Sequence, residues 1–213
     1  MRFINIYIFR DKFFLAHRKW VNDKGDQNLR YNYKLNSESI VFDLGGYEGE
    51  LAQKNFDKYN SNIYVFEPVK KFYNIILEKF RNNKKIKTYQ FGLSDKDEKI
   101  NIDINKNATS IYLDNGEKEK ITLKSIINFM NNNNINSIDL LKINIEGGEF
   151  PLLFELIKNN KIKNIKNLQI QFHNFVPNAK ILREEIRSVL NQTHHLTYDY
   201  YFIWENWQLN ETI

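Results

Sequence analysis

"SIVFDLGGYEGELAQ", residues 39–53, decides how the rest of the chain is read. An apolar run ends in Asp43, three glycines follow at Gly45, Gly46 and Gly49, and a helix-like pattern begins directly after them. The whole chain holds only 8 glycines, so their concentration here needs a local cause. A buried strand turning sharply into a helix supplies one, because glycine lets the backbone bend and approach a ligand with no Cβ in the way.

Outward from this stretch, strand-like and helix-like runs alternate. "GELAQKNFDKY" reads as a helix and "NIYVFEP" as a second strand. "KKFYNIILEKFRNN" carries Phe72, Ile75, Ile76, Leu77 and Phe80 at helical spacing, and "KIKTYQFGL" (85–93) reads as a third strand. "TLKSIINFMNN" is expected to be a helix capped by Thr122, with Asn131–Asn134 at its end. "IDLLKINIEG" and "NLQIQFHN" read as further buried strands, with the helix "FPLLFELIKN" between them. Such alternation predicts an α/β domain: a mostly parallel sheet with helices on both faces. After the helix "ILREEIRSVLNQ", the segment "HHLTYDYYFIWENWQLNETI" predicts a terminal antiparallel strand pair. Residues 1–35 form an aromatic-rich extension (Phe13, Phe14, Trp20, Tyr31, Tyr33) to a domain spanning 36–213. It is expected to lie against that domain or to form a partner surface.

Composition narrows the function. Hydrophobic residues make up 42% of the 213-residue chain and aromatics 15%, enough for a real core. The net charge of +5 is spread through tracts such as "NNKKIK", with no basic run interleaved with aromatics, so nucleic acid is not expected as a partner. Without cysteine there are no disulfides, thiolate metal sites or cysteine nucleophiles. The opening "MRFINIYIFRDKFF" is too short and polar for a signal peptide, and no later run approaches a membrane span; a cytoplasmic location is expected. His194 and His195 are adjacent on a strand and point to opposite faces, so no metal is assigned.

In an open parallel sheet, ligands sit beyond the carboxyl ends of the strands. Asp43 to Gly49 holds that place on the first strand, but Tyr47 stands where a dinucleotide fingerprint needs its second glycine. Asp43 is a poor neighbour for phosphate and a good one for a cation, a hydroxyl or an amine. Glu67, in the Glu67-Pro68 end of the second strand, can accept from both hydroxyls of a ribose. Leu93, Ser94 and Asp95 end the third strand beside an expected adenine, while Tyr47 and Glu48 border the other end of the cofactor. A ribose, a positive centre and no phosphate cradle point to S-adenosylmethionine. A nucleotide-binding or redox Rossmann domain is the competing reading.

"VFDLGGYEG", "IYVFEP", "LSD" and above all "IDLLKINIEGGEFPLL" resemble the FkbM family of S-adenosylmethionine-dependent methyltransferases, over about residues 39–175. The closing "YYFIWENW" is similar to one branch of it. The resemblance implies a Rossmann-like class I methyltransferase fold with a seven-stranded sheet. It also implies O-methylation of a carbohydrate or glycan-linked hydroxyl, as in surface polysaccharide biosynthesis. Residue by residue, it assigns Asp43, Gly45 and Gly49 to the cofactor loop, with Gly46 and Tyr47 between them. Glu67 becomes the ribose acid, Ser94 and Asp95 the adenine edge, and Lys142, Glu146, Gly147 and Glu149 the block after the fourth strand. Asn144 departs from the pattern, since such families commonly carry aspartate there. That feature keeps open an alternative, a non-catalytic interaction protein that retained the fold.

Methyl transfer to oxygen gains from a base, and His173, closing "IQFHN", is the expected one. Glu146 is expected to orient the acceptor and Glu149 to meet the dipole of the following helix. Lys142, inside an apolar strand, needs a partner, either an ion pair or the substrate. Trp204 and Trp207 of "WENW" either finish the core or stack on a sugar.

Overall fold

A computed structural model describes residues 11–105, 108–110 and 117–211; the opening apolar run before Asp11 lies outside them. Two short helices, α1 (Lys12–Asn22) and α2 (Gly25–Asn28), precede the central strand β1 (Ile40–Leu44). The chain then forms α3 (Glu50–Tyr59), β2 (Asn62–Phe66), α4 (Lys70–Phe80) and β3 (Ile86–Tyr89). After an inserted unit come β8 (Leu140–Ile143), α6 (Glu149–Lys158), β9 (Asn167–Ile170) and α7 (Ala179–Leu190). A terminal hairpin, β10 (His194–Tyr200) and β11 (Trp204–Leu209), completes the sheet. The seven strands lie in the order β10-β11-β9-β8-β1-β2-β3, parallel except for the hairpin.

β1 and β8 are neighbours whose following chain runs off in opposite directions across the sheet. That is the switch point at which a crevice opens beyond the strand ends. Strands buried on both faces read as continuous apolar runs. Phe42, Leu44, Leu141 and Ile143 point to a core shared with the helix Ile126–Asn132, α6 and α7, while Val41, Ile63 and Leu140 meet Ala52, Ile76 and Phe80 of α3 and α4.

Two expectations need correction. Residues 85–93 are not one strand: β3 stops at Tyr89, and β4 (Gly92–Ser94) belongs to a second, four-stranded sheet. Its other members are β5 (Glu98–Asn105), β6 (Ala108–Ser110) and β7 (Glu117–Ser125). Thr122 therefore does not cap a helix; it pairs with Lys99 in the β5–β7 ladder. The cap of α5 (Ile126–Asn132) is Ser125, whose side chain accepts from the Asn128 amide at 3.3 Å. The apolar–polar alternation of Ile100, Ile102, Ile121 and Leu123 has a period of two, and that periodicity outranks the helix formers that follow.

From Asp11 onward the N-terminal extension lies against the sheet. Trp20 packs with Tyr200 and Trp204, and the Tyr31 carbonyl accepts from Lys58 Nζ and the Tyr59 hydroxyl at 2.9 and 2.8 Å. Trp204 and Trp207 are buried in the core. His194 is buried with Nε2 2.8 Å from the Ile165 carbonyl oxygen, while its neighbour His195 is exposed. Among the described residues no helix is long and apolar enough to cross a membrane.

Candidate cofactor and active site

The loop after β1 folds against the protein itself. Gly45 has φ +78°, and a Cβ there would lie 2.0 Å from the Asn144 carbonyl oxygen; at Gly46 one would lie 2.3 Å from Val65 Cγ1. Gly49 (φ +73°) is covered by the Phe80 ring, with 2.6 Å left for a Cβ. The glycines thus bring the first loop against the end of β8 and seat it on β2 and α4, where the sequence suggested room for a ligand. Tyr47 and Glu146 adopt positive φ (50° and 51°) without being glycine, one in each loop of the switch point. Such conformations cost energy and cluster where function holds them.

Along one face of the sheet, side chains in register form a polar row in place of a greasy one. Asp43 of β1 pairs with Lys142 of β8, Lys142 with Gln169 of β9, and Gln169 with Asn206 of β11. Lys142 is 3% exposed and spends its three donors on the Leu44 carbonyl (3.1 Å), the Gly45 carbonyl (2.7 Å) and Asp43 Oδ1 (2.8 Å). Its partner is therefore an ion pair and a loop rather than free space. Asp43, fully buried, is thereby charge-paired through Oδ1, while its Oδ2 has no hydrogen-bond donor. Asn144 Oδ1 is likewise buried without a partner.

Glu67 accepts from the amides of Tyr47 (2.8 Å) and Val69 (2.9 Å), one on each oxygen, so each keeps a lone pair for a further donor. Burial pushes its pKa up to about 7 against the pull of those amides and of Lys142. Ser94 bonds to Asp95 Oδ1 at 2.9 Å.

Glu149, fully buried at the start of α6, does more than meet a helix dipole. Oε2 accepts from the Gly147 amide, and Oε1 accepts from the His173 amide, both at 2.8 Å, with His173 Nδ1 3.1 Å away. His173 Nε2 lies 3.4 Å from Glu146 Oε2. Burial would lower the pKa of this histidine, but the two carboxylates outweigh it and lift it to about 9. β9 ends at Ile170, so His173 sits behind the strand tip rather than on it. A protonated imidazole clamped by two acids does not accept a proton near pH 7. Its geometry suits it to hold Glu146 in place.

Two cavities meet at the switch point. One, of about 430 Å³, is lined by Glu67, Pro68, Leu93, Ser94 and Asp95, and closed by Ile100, Ile102, Ile121 and Leu123 of the second sheet. The other, of about 250 Å³, is lined by Asp43, Gly46, Tyr47, Glu48, Glu50, Phe72, Lys142 and, from the N-terminal extension, Arg30. Gly45, Glu67, Asn144 and Glu146 line both and form the wall between them. The expected residues thus come together, apart from Gly49 and His173, which stand behind the wall and line neither cavity. Arg30 and the antiparallel β5 and β7 of the second sheet were not expected; the alternating pattern of those strands was the available signal.

A family model described as the methyltransferase FkbM domain matches residues 43–200. No curated protein matches the chain. Among solved structures, a fibrillarin–Nop5p complex aligns with a TM-score of 0.52 and 12% identity, over 85% of this chain and 77% of that one. A putative rRNA methylase from Clostridium thermocellum aligns with a TM-score of 0.52 and 7% identity, over 84% and 90%. TrmK of M. capricolum, solved with S-adenosyl-homocysteine, shares 20% identity at a TM-score of 0.44; 84% of this chain is covered, but only 65% of TrmK. At such identities the likeness is one of fold, a Rossmann-like class I methyltransferase architecture. The family match covers most of the 213 residues, including both switch-point loops, and the chain therefore belongs to the methyltransferase FkbM family, whose cofactor is S-adenosylmethionine.

Proposed function

We propose that this chain transfers the methyl group of S-adenosylmethionine to a hydroxyl oxygen of a carbohydrate or glycan-linked group, in the cytoplasmic assembly of a surface polysaccharide. The observation that carries the reading is the shared wall. Glu67, Asn144 and Glu146 face a nucleoside-sized cavity on one side and a carboxylate-rich one on the other. The residues suit the cofactor: Glu67 keeps lone pairs for a ribose diol, and Asp43 Oδ2 and Asn144 Oδ1 lack donors. Asp43, Glu48, Glu50, Glu67 and Glu146 outnumber Arg30 and Lys142 around the second cavity. That balance favours a cation and repels phosphates, which argues against a dinucleotide and supports an acceptor other than nucleic acid.

When bound, the cofactor supplies an activated methyl group on sulfur. Holding an acceptor oxygen in line contributes on the order of 7–11 kcal/mol. Glu146 receives the hydroxyl proton, and His173, itself protonated and 3.4 Å away, holds that carboxylate in place. Positioning is thus the larger contribution, with base assistance adding about 10²–10⁴-fold. In this proposal residues 36–213 form the catalytic domain, and Arg30 of the extension helps to line the second cavity.

Titration calorimetry with S-adenosyl-homocysteine tests the cofactor site: binding is expected, and Glu67→Gln should weaken it by about tenfold or more. Transfer of labelled methyl groups to a panel of sugars tests the acceptor. No binding by the intact protein would remove the proposal. Binding without transfer to any hydroxyl would favour the non-catalytic reading that Asn144 suggests.

A further inference from the structure

Arg30 comes from the N-terminal extension, outside the family match at residues 43–200, yet it lines the second cavity. Its position is built. The Arg30 carbonyl accepts from Gln169 Nε2 at 3.1 Å, and its guanidinium lies 4.5 Å above the Trp204 ring. Its ionic contact, Nη1 to Asp26 Oδ1, is long at 3.4 Å and reaches a largely exposed carboxylate. Meanwhile Arg30 Nε is buried with no acceptor. In the same cavity, the buried Asp43 carboxylate is paired with Lys142 through Oδ1, and its Oδ2 has no donor. A guanidinium whose Nε has no acceptor and a carboxylate whose Oδ2 has no donor, lining about 250 Å³ together, complement a ligand end that carries both charges. Lys142, the other cation there, has its donors committed to Leu44, Gly45 and Asp43.

We propose that Arg30 holds the α-carboxylate of the cofactor's amino-acid end, opposite Asp43, which accepts from the α-ammonium group. The inference rests on the cofactor reading above and adds a residue and an orientation to it: adenosine in the larger cavity, the zwitterion in the smaller. The extension is then part of the cofactor site, and Gln169 and Trp204 preorganise Arg30 before the ligand arrives.

The test compares S-adenosyl-homocysteine with 5′-methylthioadenosine, which keeps the adenosyl thioether and lacks the amino acid, by calorimetry on the full chain. Arg30→Gln should lose about tenfold or more in affinity for the first and change by less than about twofold for the second, with Arg30→Lys recovering part of the loss. Wild-type affinity of Arg30→Gln for S-adenosyl-homocysteine overturns the assignment while leaving the methyltransferase reading intact. A wild-type protein that binds neither compound takes both down. If the variant does not fold, the decarboxylated analogue of S-adenosyl-homocysteine decides on the wild type. A preference below about threefold for the parent compound refutes a carboxylate contact.

Discussion

Two charge clusters are buried in this molecule, and they are finished differently. At the far edge of the sheet, Arg183 of α7 bonds to Glu205 and Asp199, and Arg187 reaches the same two acids at 2.8 Å. Trp207 Nε1 caps the remaining oxygen of Glu205 at 2.8 Å, so every carboxylate has its donors. At the switch point Asp43 and Lys142 are just as deeply buried, yet Asp43 Oδ2, Asn144 Oδ1 and Arg30 Nε lack a partner beside open volume, whereas Arg183 Nε, the unpartnered atom of the edge cluster, lines neither switch-point cavity. A closed network holds elements together, while an open one waits for a ligand to complete it. Buried charge alone does not mark a site; unmatched buried charge next to a cavity does.

The largest effect should come from breaking the closed network. Arg183→Ala leaves Glu205 buried with half its compensation and strips a guanidinium packed over Phe172, Tyr201 and Phe202. We expect a loss of about 3–5 kcal/mol in unfolding free energy by denaturant titration. Affinity for S-adenosyl-homocysteine in the folded fraction should stay within about twofold. Weakened binding at unchanged stability would mean the two clusters are not separate in role.

His173 gives a pH signature on the switch-point side. Its pKa rises from 6.5 to about 9 on folding, so protonated His173 stabilises the native state. The contribution is complete below about 6.5, declines as pH rises and is gone above about 9. Against His173→Gln, the wild type should lead by on the order of 2–3 kcal/mol at pH 6, and the gap should close by about pH 10. A gap that widens with pH would show the imidazole to be neutral, and would return it to the role of base.

Much of the site was legible because it is local. The turn at Gly45–Gly49, the acid at Glu67 and the "KINIEGGE" block each sit at the end of a strand whose apolar run is visible in sequence. What escaped depends on contacts between distant segments. The protonation of His173 is set by Glu146 and Glu149, which approach it only when α6 folds beside β9. Arg30 is carried to the cavity by a glutamine 139 residues away in the chain. The β5–β7 wall was readable in principle, since its alternation is plain, but a following helix drew Thr122 into the wrong element.

The smallest expected effect concerns Asn144, which lines both cavities and whose buried Oδ1 has no hydrogen-bond partner. Asn144→Asp adds a carboxylate to a wall that already carries Glu67 and Glu146, so it should cost about 1–2 kcal/mol of stability at pH 8 and less at pH 5, where it can protonate. The added charge should also discriminate by charge on sulfur. Affinity for the sulfonium S-adenosylmethionine should rise relative to the neutral S-adenosyl-homocysteine by about three- to tenfold, read as a ratio so that general damage cancels. An unchanged ratio would place position 144 away from the sulfur and transfer the task of sensing that charge to Asp43.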